Sequence, residues 1–341
     1  MQLIHDAELA GSTTLGVGGR ARYLAIVESE ADLVDALEFA AARGARVWVL
    51  GGGSNVVIPD CGLDGLVALM RLRGIEAHLA GTDELLSAAA GEPWDGFVAE
   101  SVRRGLSGIE GLSGIPGLVG ATPIQNVGAY GQEVSETIVQ VRAYDRNERR
   151  FVELGRDECR FSYRDSLFKS GLPDRFVVTR VRFALSRRAP ELRYAELRRH
   201  FDAREPTLPA VREAVLAIRR SKSMVVEAGD ENRRSCGSFF LNPIVDAARG
   251  DALVERLGAA SMPRFPQPDG RVKLSAAWLI ERAGLKKGTR SGNVGISSRH
   301  ALALVCHDGA SASELLAFAE HVRDVVRRET GIELSPEPVW W

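Results

Sequence analysis

The stretch from Ser113 to Glu133, SGIPGLVGATPIQNVGAYGQE, constrains the fold more than any other part of the chain. Gly114, Gly117, Gly120, Gly128 and Gly131 interrupt it, and Pro116 and Pro123 stiffen it. Glycine is costly inside a helix or a strand, so the run cannot be one regular element. It reads as a loop whose backbone turns sharply or lies close to a flat or anionic ligand. Gln125 and Asn126 add side-chain amides that both donate and accept hydrogen bonds. The edge of an isoalloxazine or a similar ring needs that mixture. A second glycine knot, Gly51-Gly52-Gly53-Ser54-Asn55, follows the strand-like Arg46-Val47-Trp48-Val49-Leu50. Bare backbone N–H groups after a strand make an anion cradle. Two such loops point to a large phosphorylated cofactor bound along its length.

The elements around the loops follow no regular alternation of strand and helix. Ala21 to Val27 reads as a strand. Ser29 then caps a helix, with Asp32 completing a weaker capping box, an apolar stripe at Leu33, Leu37, Ala40 and Ala41, and Gly44 beyond its end. The phosphate-binding G-x-G-x-x-G pattern is missing: GVGGRA at Gly16 has the wrong spacing and precedes the first strand. The second knot leads into Val56-Val57-Ile58, a strand and not a helix. Short strands are expected at Leu66–Leu72, Ile75–Leu79 and Leu85–Ala90. Trp94–Arg104 reads as a helix, Ile138–Tyr144 and Arg150–Leu154 as a hairpin, and Phe176–Leu185 as a strong strand. Further helices are expected at Thr207–Arg220, Leu274–Ala283 and Ser313–Glu329, with a buried strand at Ala301–Cys306.

Composition narrows the function classes. The chain has 341 residues, 45% hydrophobic and 26% charged, with a net charge of −1. That is enough apolar material for two or three domains, and no global basic field invites nucleic acid. Cys61, Cys159, Cys236 and Cys306 are scattered, without a CxxC pair or zinc-ligand spacing, which suits a reduced compartment and no metal site. No apolar run is long enough to span a bilayer and no signal peptide is visible. A cytoplasmic monomer is expected.

Several residues have the chemistry for a site, each with a bland alternative. Arg164, in Tyr163-Arg164-Asp165-Ser166, suits either bidentate grip of a carboxylate or a surface pair with Asp165. Ser238, in Gly237-Ser238-Phe239-Phe240-Leu241-Asn242-Pro243, suits a proton relay or a turn cap, and Asn242 a ligand contact or a turn before Pro243. Glu337 lies between Pro336 and Pro338 near the apolar end Val339-Trp340-Trp341, which is no loose tail. Lys222 closes a helix, where its charge also suits the helix dipole. His300 borders a buried strand and reads equally as structural or site-forming. Cys306 reads as core.

GGGSNVVIPD, IPGLVGATPIQNVGAYG, YRDSLFK, GSFFLNP and the terminal LSPE occur in one order from Gly51 to Glu337. In that order they resemble the UDP-N-acetylenolpyruvoylglucosamine reductases, flavoenzymes of bacterial cell-wall synthesis, over nearly the whole chain. Arg193-Tyr194-Ala195-Glu196-Leu197 resembles the tyrosine-bearing loop of the longer family type. The resemblance implies an α+β fold: a two-lobed FAD-binding module of the vanillyl-alcohol-oxidase or p-cresol-methylhydroxylase kind, then a C-terminal α/β substrate domain. We place the lobes at 1–72 and 73–205 and the third domain at 206–341.

It also implies roles. FAD would be held without a covalent bond by Gly51, Gly52, Gly53, Ser54, Asn55, Gly117, Gly120, Ala121, Thr122, Gln125, Asn126, Gly128, Ala129 and Arg219. A side chain at Gly52 or Gly120 would then block the close approach of the cofactor. Arg164, Ser238 and Glu337 would be catalytic, with Arg164 steadying an enolate and Ser238 giving a proton. Tyr163, Tyr194, Lys222, Asn242 and His300 would meet the substrate, UDP-N-acetylglucosamine enolpyruvate, with NADPH as hydride donor. Two other readings remain at this stage: an FAD-dependent oxidase of a small hydroxylated metabolite, and a flavin- or nucleotide-sugar-binding regulator without turnover.

Overall fold

The computed structural model of the chain describes residues 1–80, 83–201 and 205–341. Contacts group the chain into two units, neither continuous in sequence: Met1–Ala7, Ala21–Gly52 and Asp64–Val225 form one, and Glu8–Arg20, Gly53–Leu63 and Val226–Trp341 the other. This grouping differs from linear cuts after 72 and 205. It assigns the segments around Thr13 and Val57 to the C-terminal unit and the helix after Thr207 to the first.

The first unit is built on two sheets. One has the strand order Gln2–Glu8, Arg20–Val27, Leu63–Met70, Arg46–Leu50. Its last pair is parallel, with Val47 opposite Leu66 and Val49 opposite Ala68. Helix α1, Glu30–Ala41, follows the second of these strands. Ser29 accepts from the Asp32 N–H while the Asp32 carboxylate accepts from the Ser29 N–H, so the capping box is complete. Its buried residues are Leu33, Ala36 and Ala40. The expected stripe errs by one position: Ala41 is exposed and Ala36 takes its place, because the spacing 33, 36, 40 keeps one face inward.

The other sheet is antiparallel, in the order Arg150–Gly155, Ile138–Asp145, Phe176–Ser186, Asp83–Ala89, Ile75–Ala80. Helix α2, Trp94–Arg103, covers it and buries Trp94, Phe97 and Val98. Trp94, Phe97 and Phe183 form an aromatic knot with centroids 5.0 to 5.9 Å apart. The Trp94 indole N–H is satisfied by the Leu112 carbonyl at 3.0 Å. A second apolar cluster, including Val27, Leu33, Leu66, Tyr144 and Val177, joins the two sheets. Helices α3, Ala195–Phe201, and α4, Leu208–Ser221, pack on each other through Leu197, Phe201, Val211, Ala214 and Val215. The loop expected around Tyr194 is helical from Ala195 onward.

The C-terminal unit contains helices α5 (Ala247–Leu257), α6 (Ala276–Arg282) and α7 (Ala312–Thr330). They accompany two three-stranded sheets, Ile244–Val245 with Val272–Leu274 and Arg264–Pro266, and Arg290–Ser291 with Val294–Ile296 and Leu304–Cys306. The core gathers Phe239, Phe240, Leu274, Leu279, Leu304, Leu315, Val322 and Leu334, with Leu15, Val17 and Val57 contributed from earlier sequence. Cys306 is core, as read from the sequence. Helix α5 stands where no element is expected from the sequence. Gly250 lowers its apparent propensity, yet a Cβ there would lie 2.7 Å from Val272 Cγ1, so the glycine is what lets the helix approach the sheet. The two-residue strand Val56–Val57 pairs in parallel with Val339–Trp340, which fixes the chain end. Among the described residues no helix is long and apolar enough to cross a membrane.

Candidate functional site

In the first unit the glycine run is pinned by side chains. The Asn126 amide, 1% exposed, donates to Glu133 Oε2 at 2.8 Å and to the Ser162 carbonyl at 3.0 Å. Its oxygen accepts from the Ser135 N–H at 3.1 Å. Asn126 itself has a positive φ of 46°, a conformation asparagine tolerates better than most residues. Its amide is thus occupied inside the loop, and Asn126 holds the loop's shape. Gln132 accepts from the Gly111 N–H at 2.7 Å and donates to the buried Glu110 at 3.1 Å. Thr122 turns its hydroxyl onto the Val119 carbonyl at 2.8 Å.

The glycines of the two loops have a reason the sequence did not disclose. A Cβ on Gly52 would lie 2.8 Å from Gly117 Cα, and one on Gly120 would collide with Ala90. Gly52 meets Gly117 backbone to backbone, so the knot and the run approach each other closely. The expected intolerance of side chains at Gly52 and Gly120 therefore stands on chain-to-chain packing and not on cofactor approach alone. Gly51 differs: its nearest neighbours would be Leu118 and Ala121 at 3.8 and 3.9 Å, ordinary contacts.

Arg164 belongs to this loop. Its guanidinium donates to the Gly128 carbonyl at 2.5 Å and to the Asn126 carbonyl at 3.3 Å, lies 5.3 Å from the Tyr163 ring centroid and stands 4.0 Å from Glu133. Its φ of 55° is left-handed, and Lys169 donates to its carbonyl at 3.0 Å. Ser166 bonds the Ile124 carbonyl at 2.6 Å, tying the YRDS segment to the run a second time. Asp165, the surface partner considered for Arg164, bonds Ser170 and the Ser166 N–H.

Helix α4 delivers the next cations. Asp95, in the first turn of α2, accepts from both terminal nitrogens of Arg212 at 2.6 and 2.7 Å and from the Gly114 N–H at 2.6 Å. Burial alone would raise its pKa, but these donors hold it below the ordinary value. This clamp fixes α4 against the glycine run and so fixes Arg219. Arg219 is 6% exposed, donates to the Met224 carbonyl at 2.6 Å and lies beside Tyr130. Its Nε–H is buried and has no partner among the described residues, and a Cβ on Gly114 would lie 3.4 Å from it. A buried guanidinium with an unmet donor has the chemistry to hold an anionic group. Burial pushes the Tyr130 phenol up to about 12, so it stays protonated.

Tyr130 and Tyr194 meet edge to face, with centroids 5.4 Å apart. Lys222, the residue after α4, donates to Glu196 Oε2 at 2.6 Å. Asp95, Arg212, Tyr130 and Glu196 were not picked out from sequence. Tyr130 lies within the glycine run and Glu196 within the tyrosine loop, and those neighbourhoods were the available signals.

In the C-terminal unit the site residues are gathered by backbone pairing. The Phe239 N–H donates to the Leu302 carbonyl at 2.8 Å, the Leu241 N–H to Ser335 at 2.9 Å and the Glu337 N–H to Phe239 at 2.9 Å. GSFFLNP and LSPE are therefore neighbouring extended segments, with Phe240 opposite Pro336. The Asn55 amide donates to the Glu337 carbonyl at 3.4 Å, and the Val339 N–H to the Asn55 carbonyl at 3.0 Å. Asn55, the Ser238 segment and Glu337 thus lie together in the C-terminal unit. Ser238 is half-buried, and its hydroxyl makes no hydrogen bond among the described residues. Asn242 accepts from the Ala276 N–H at 2.9 Å, capping α6, which leaves its NH2 as a donor. His300 receives its order from Ser297, whose hydroxyl accepts from the His300 N–H at 3.3 Å. A Cβ on Gly53 would strike Ser12 and Thr13, so that glycine is also set by packing.

Comparison with known proteins agrees with both halves of this arrangement. A model of FAD binding domains matches residues 21–152, and one of the UDP-N-acetylenolpyruvoylglucosamine reductase C-terminal domain matches residues 229–341. The UDP-N-acetylenolpyruvoylglucosamine reductase of Saccharopolyspora erythraea is 47% identical, covering 97% of this chain and 93% of that protein. That of Thermobifida fusca is 46% identical, covering 98% and 96%, and that of Cupriavidus pinatubonensis 46%, covering 96% and 95%. The crystal structure of the reductase from Thermus caldophilus superposes with a TM-score of 0.68 at 27% identity, covering 100% of this chain and 98% of that one. On these grounds the chain belongs to the UDP-N-acetylenolpyruvoylglucosamine reductase family, an FAD-binding module followed by the family's C-terminal domain.

Proposed function

We propose that this flavoenzyme reduces the enolpyruvyl group of UDP-N-acetylglucosamine enolpyruvate to give UDP-N-acetylmuramate for peptidoglycan synthesis, with NADPH as the hydride source. FAD, when bound, would supply the hydride-transfer chemistry between NADPH and the enolpyruvyl group. The Nε–H of Arg219, the backbone of Gly51 to Asn55 and the run from Gly117 to Ala129 would hold it, without a covalent bond.

The remaining work falls to the chain's own side chains. Hydride addition at one carbon leaves negative charge on the adjoining enolate and carboxylate. Arg164 meets that charge, its fork already oriented by the Asn126 and Gly128 carbonyls. Ser238 delivers the proton to the carbon, and Glu337, on the neighbouring segment, completes the charged set. Tyr163 lines the pocket for substrate and nicotinamide. Asn242 donates its NH2 to the substrate, and His300 borders the site. Tyr194 and Lys222 hold the diphosphate. The enzyme works as a cytoplasmic monomer.

The observation that carries this reading is the uncommitted Ser238 hydroxyl on a segment whose backbone pairs at Phe239 and Leu241 with Leu302, Ser335 and Glu337. The test is spectroscopic. NADPH is expected to bleach the flavin in the absence of air, and the enolpyruvyl substrate to restore the colour. Steady-state kinetics are expected to give parallel double-reciprocal lines, because the chain carries no dinucleotide fingerprint for a separate NADPH site and both ligands must use the flavin in turn. Recovery with oxygen but not with the substrate would establish the oxidase reading instead.

A further inference from the structure

Lys222 is not waiting with an open ammonium. Glu196 accepts from it at 2.6 Å, and the two side chains are 32% and 36% exposed. Glu196 stands in the first turn of α3, and Tyr194 lies two residues earlier on the same segment. The α3 backbone is anchored independently of this pair, through Leu197 and Phe201 in the apolar contact with α4. A carboxylate held on a partly exposed ammonium is an internal anion at the place assigned to the substrate's diphosphate.

We infer that Glu196 is a competitor for Lys222: it occupies the ammonium when no diphosphate is bound and gives it up when one is. This rests on the assignment of Lys222 to the diphosphate. Two consequences follow from charge alone. With Glu196 in place the Lys222–Glu196 pair carries no net charge; without the Glu196 charge it carries one positive charge, which would hold a diphosphate more tightly. Substrate and product share the uridine diphosphate group, so Glu196 weakens both and favours release. Glu196 is thus a residue that sets affinity, not one that reacts.

The experiment uses the FAD-loaded enzyme and UDP as the probe, with binding measured by calorimetry for wild type, Glu196→Gln, Lys222→Ala and the double variant. Glu196→Gln is expected to tighten UDP by about 2–5-fold, the span of a partly exposed ion pair. It should lower KM for the enolpyruvyl substrate in proportion and leave the rate of flavin reduction by NADPH within a factor of about 2. In the Lys222→Ala background the same change should have no effect on UDP. If Lys222→Ala weakens UDP while Glu196→Gln weakens it or leaves it unchanged, Glu196 serves to position Lys222 and the inference is overturned. If Lys222→Ala has no effect on UDP, the diphosphate assignment itself falls, and the inference with it. Glu196→Asp, which keeps the charge on a shorter stem, should stay closer to wild type than Glu196→Gln; the reverse order also overturns the inference.

Discussion

The glycine run Ser113–Glu133 and the segment Gly237–Pro243 are both irregular, and they are held still by opposite means. In the run, side chains do the holding: Asn126 reaches Glu133, Ser162 and Ser135, Gln132 reaches Gly111 and Glu110, and Asp95 reaches Gly114. In the segment, main-chain bonds to Leu302, Ser335 and Glu337 do it. The consequence is chemical. Side chains spent on shaping a loop are not available to a ligand, so the run presents backbone and the arginine it orients. A segment shaped by its own backbone leaves side chains such as Ser238 uncommitted. Residue type alone would rank Asn126 and Ser238 as equally functional; the hydrogen bonds separate them.

Three experiments break or sharpen this contrast. The largest effect belongs to Ser238. Ser238→Ala is expected to slow reoxidation by the substrate ~10²–10⁴-fold while flavin reduction by NADPH stays near normal. Stopped-flow records of the two half-reactions check it, and equal slowing of both would place Ser238 among the shaping residues instead.

The glycines come next. Gly52→Ala forces a Cβ to within 2.8 Å of Gly117 Cα, whereas Gly51→Ala meets nothing nearer than 3.8 Å. Gly52→Ala should therefore destabilise the FAD-free protein by roughly 1–3 kcal/mol. Gly51→Ala should leave that stability alone and weaken FAD through the lost close approach. Thermal melts of the apoprotein and FAD titrations resolve the two. An unchanged apoprotein melt for Gly52→Ala would return both glycines to the ligand.

The smallest effect is a pH dependence. Arg212 and the Gly114 N–H hold Asp95 below its ordinary 3.8 against the opposing pull of burial. A carboxyl with a depressed folded pKa contributes stability that is fully present above its unfolded value and is lost as pH falls through the folded one. Asp95→Asn should thus lower the melting temperature at neutral pH and flatten its decline on the acid side. Parallel curves for variant and wild type would mean that the clamp contributes nothing to holding α4 on the run. The figure stays small because the Asp95 side chain is 40% exposed and solvent screens the pair.

Much of the fold was legible because it is local. The capping box at Ser29, the period of Phe97 and Val98 in α2, and the hairpin joining Ile138–Asp145 to Arg150–Gly155 each express a preference contained in a few neighbouring residues. Helix α5 was hidden because Gly250 argues against a helix until the nearness of Val272 is known. Helix α3 was hidden because a seven-residue helix has little intrinsic stability and forms against α4.

For the site the division is similar. The sequence by itself determined that two glycine loops, an arginine in YRDS, a serine in GSFF and a glutamate between prolines would be present in one chain. Tertiary structure alone decided how they are used. It placed Gly52 against Gly117, turned Arg164 onto the Asn126 and Gly128 carbonyls, left Arg219 with a buried unmet N–H, and gave Lys222 to Glu196. The physical reason is that a glycine, an arginine or a lysine carries no mark of which partner it will meet. Hydrogen bonds and close approaches between residues tens of positions apart exist only once the chain has folded, and those contacts separate a residue that shapes the site from one that acts in it.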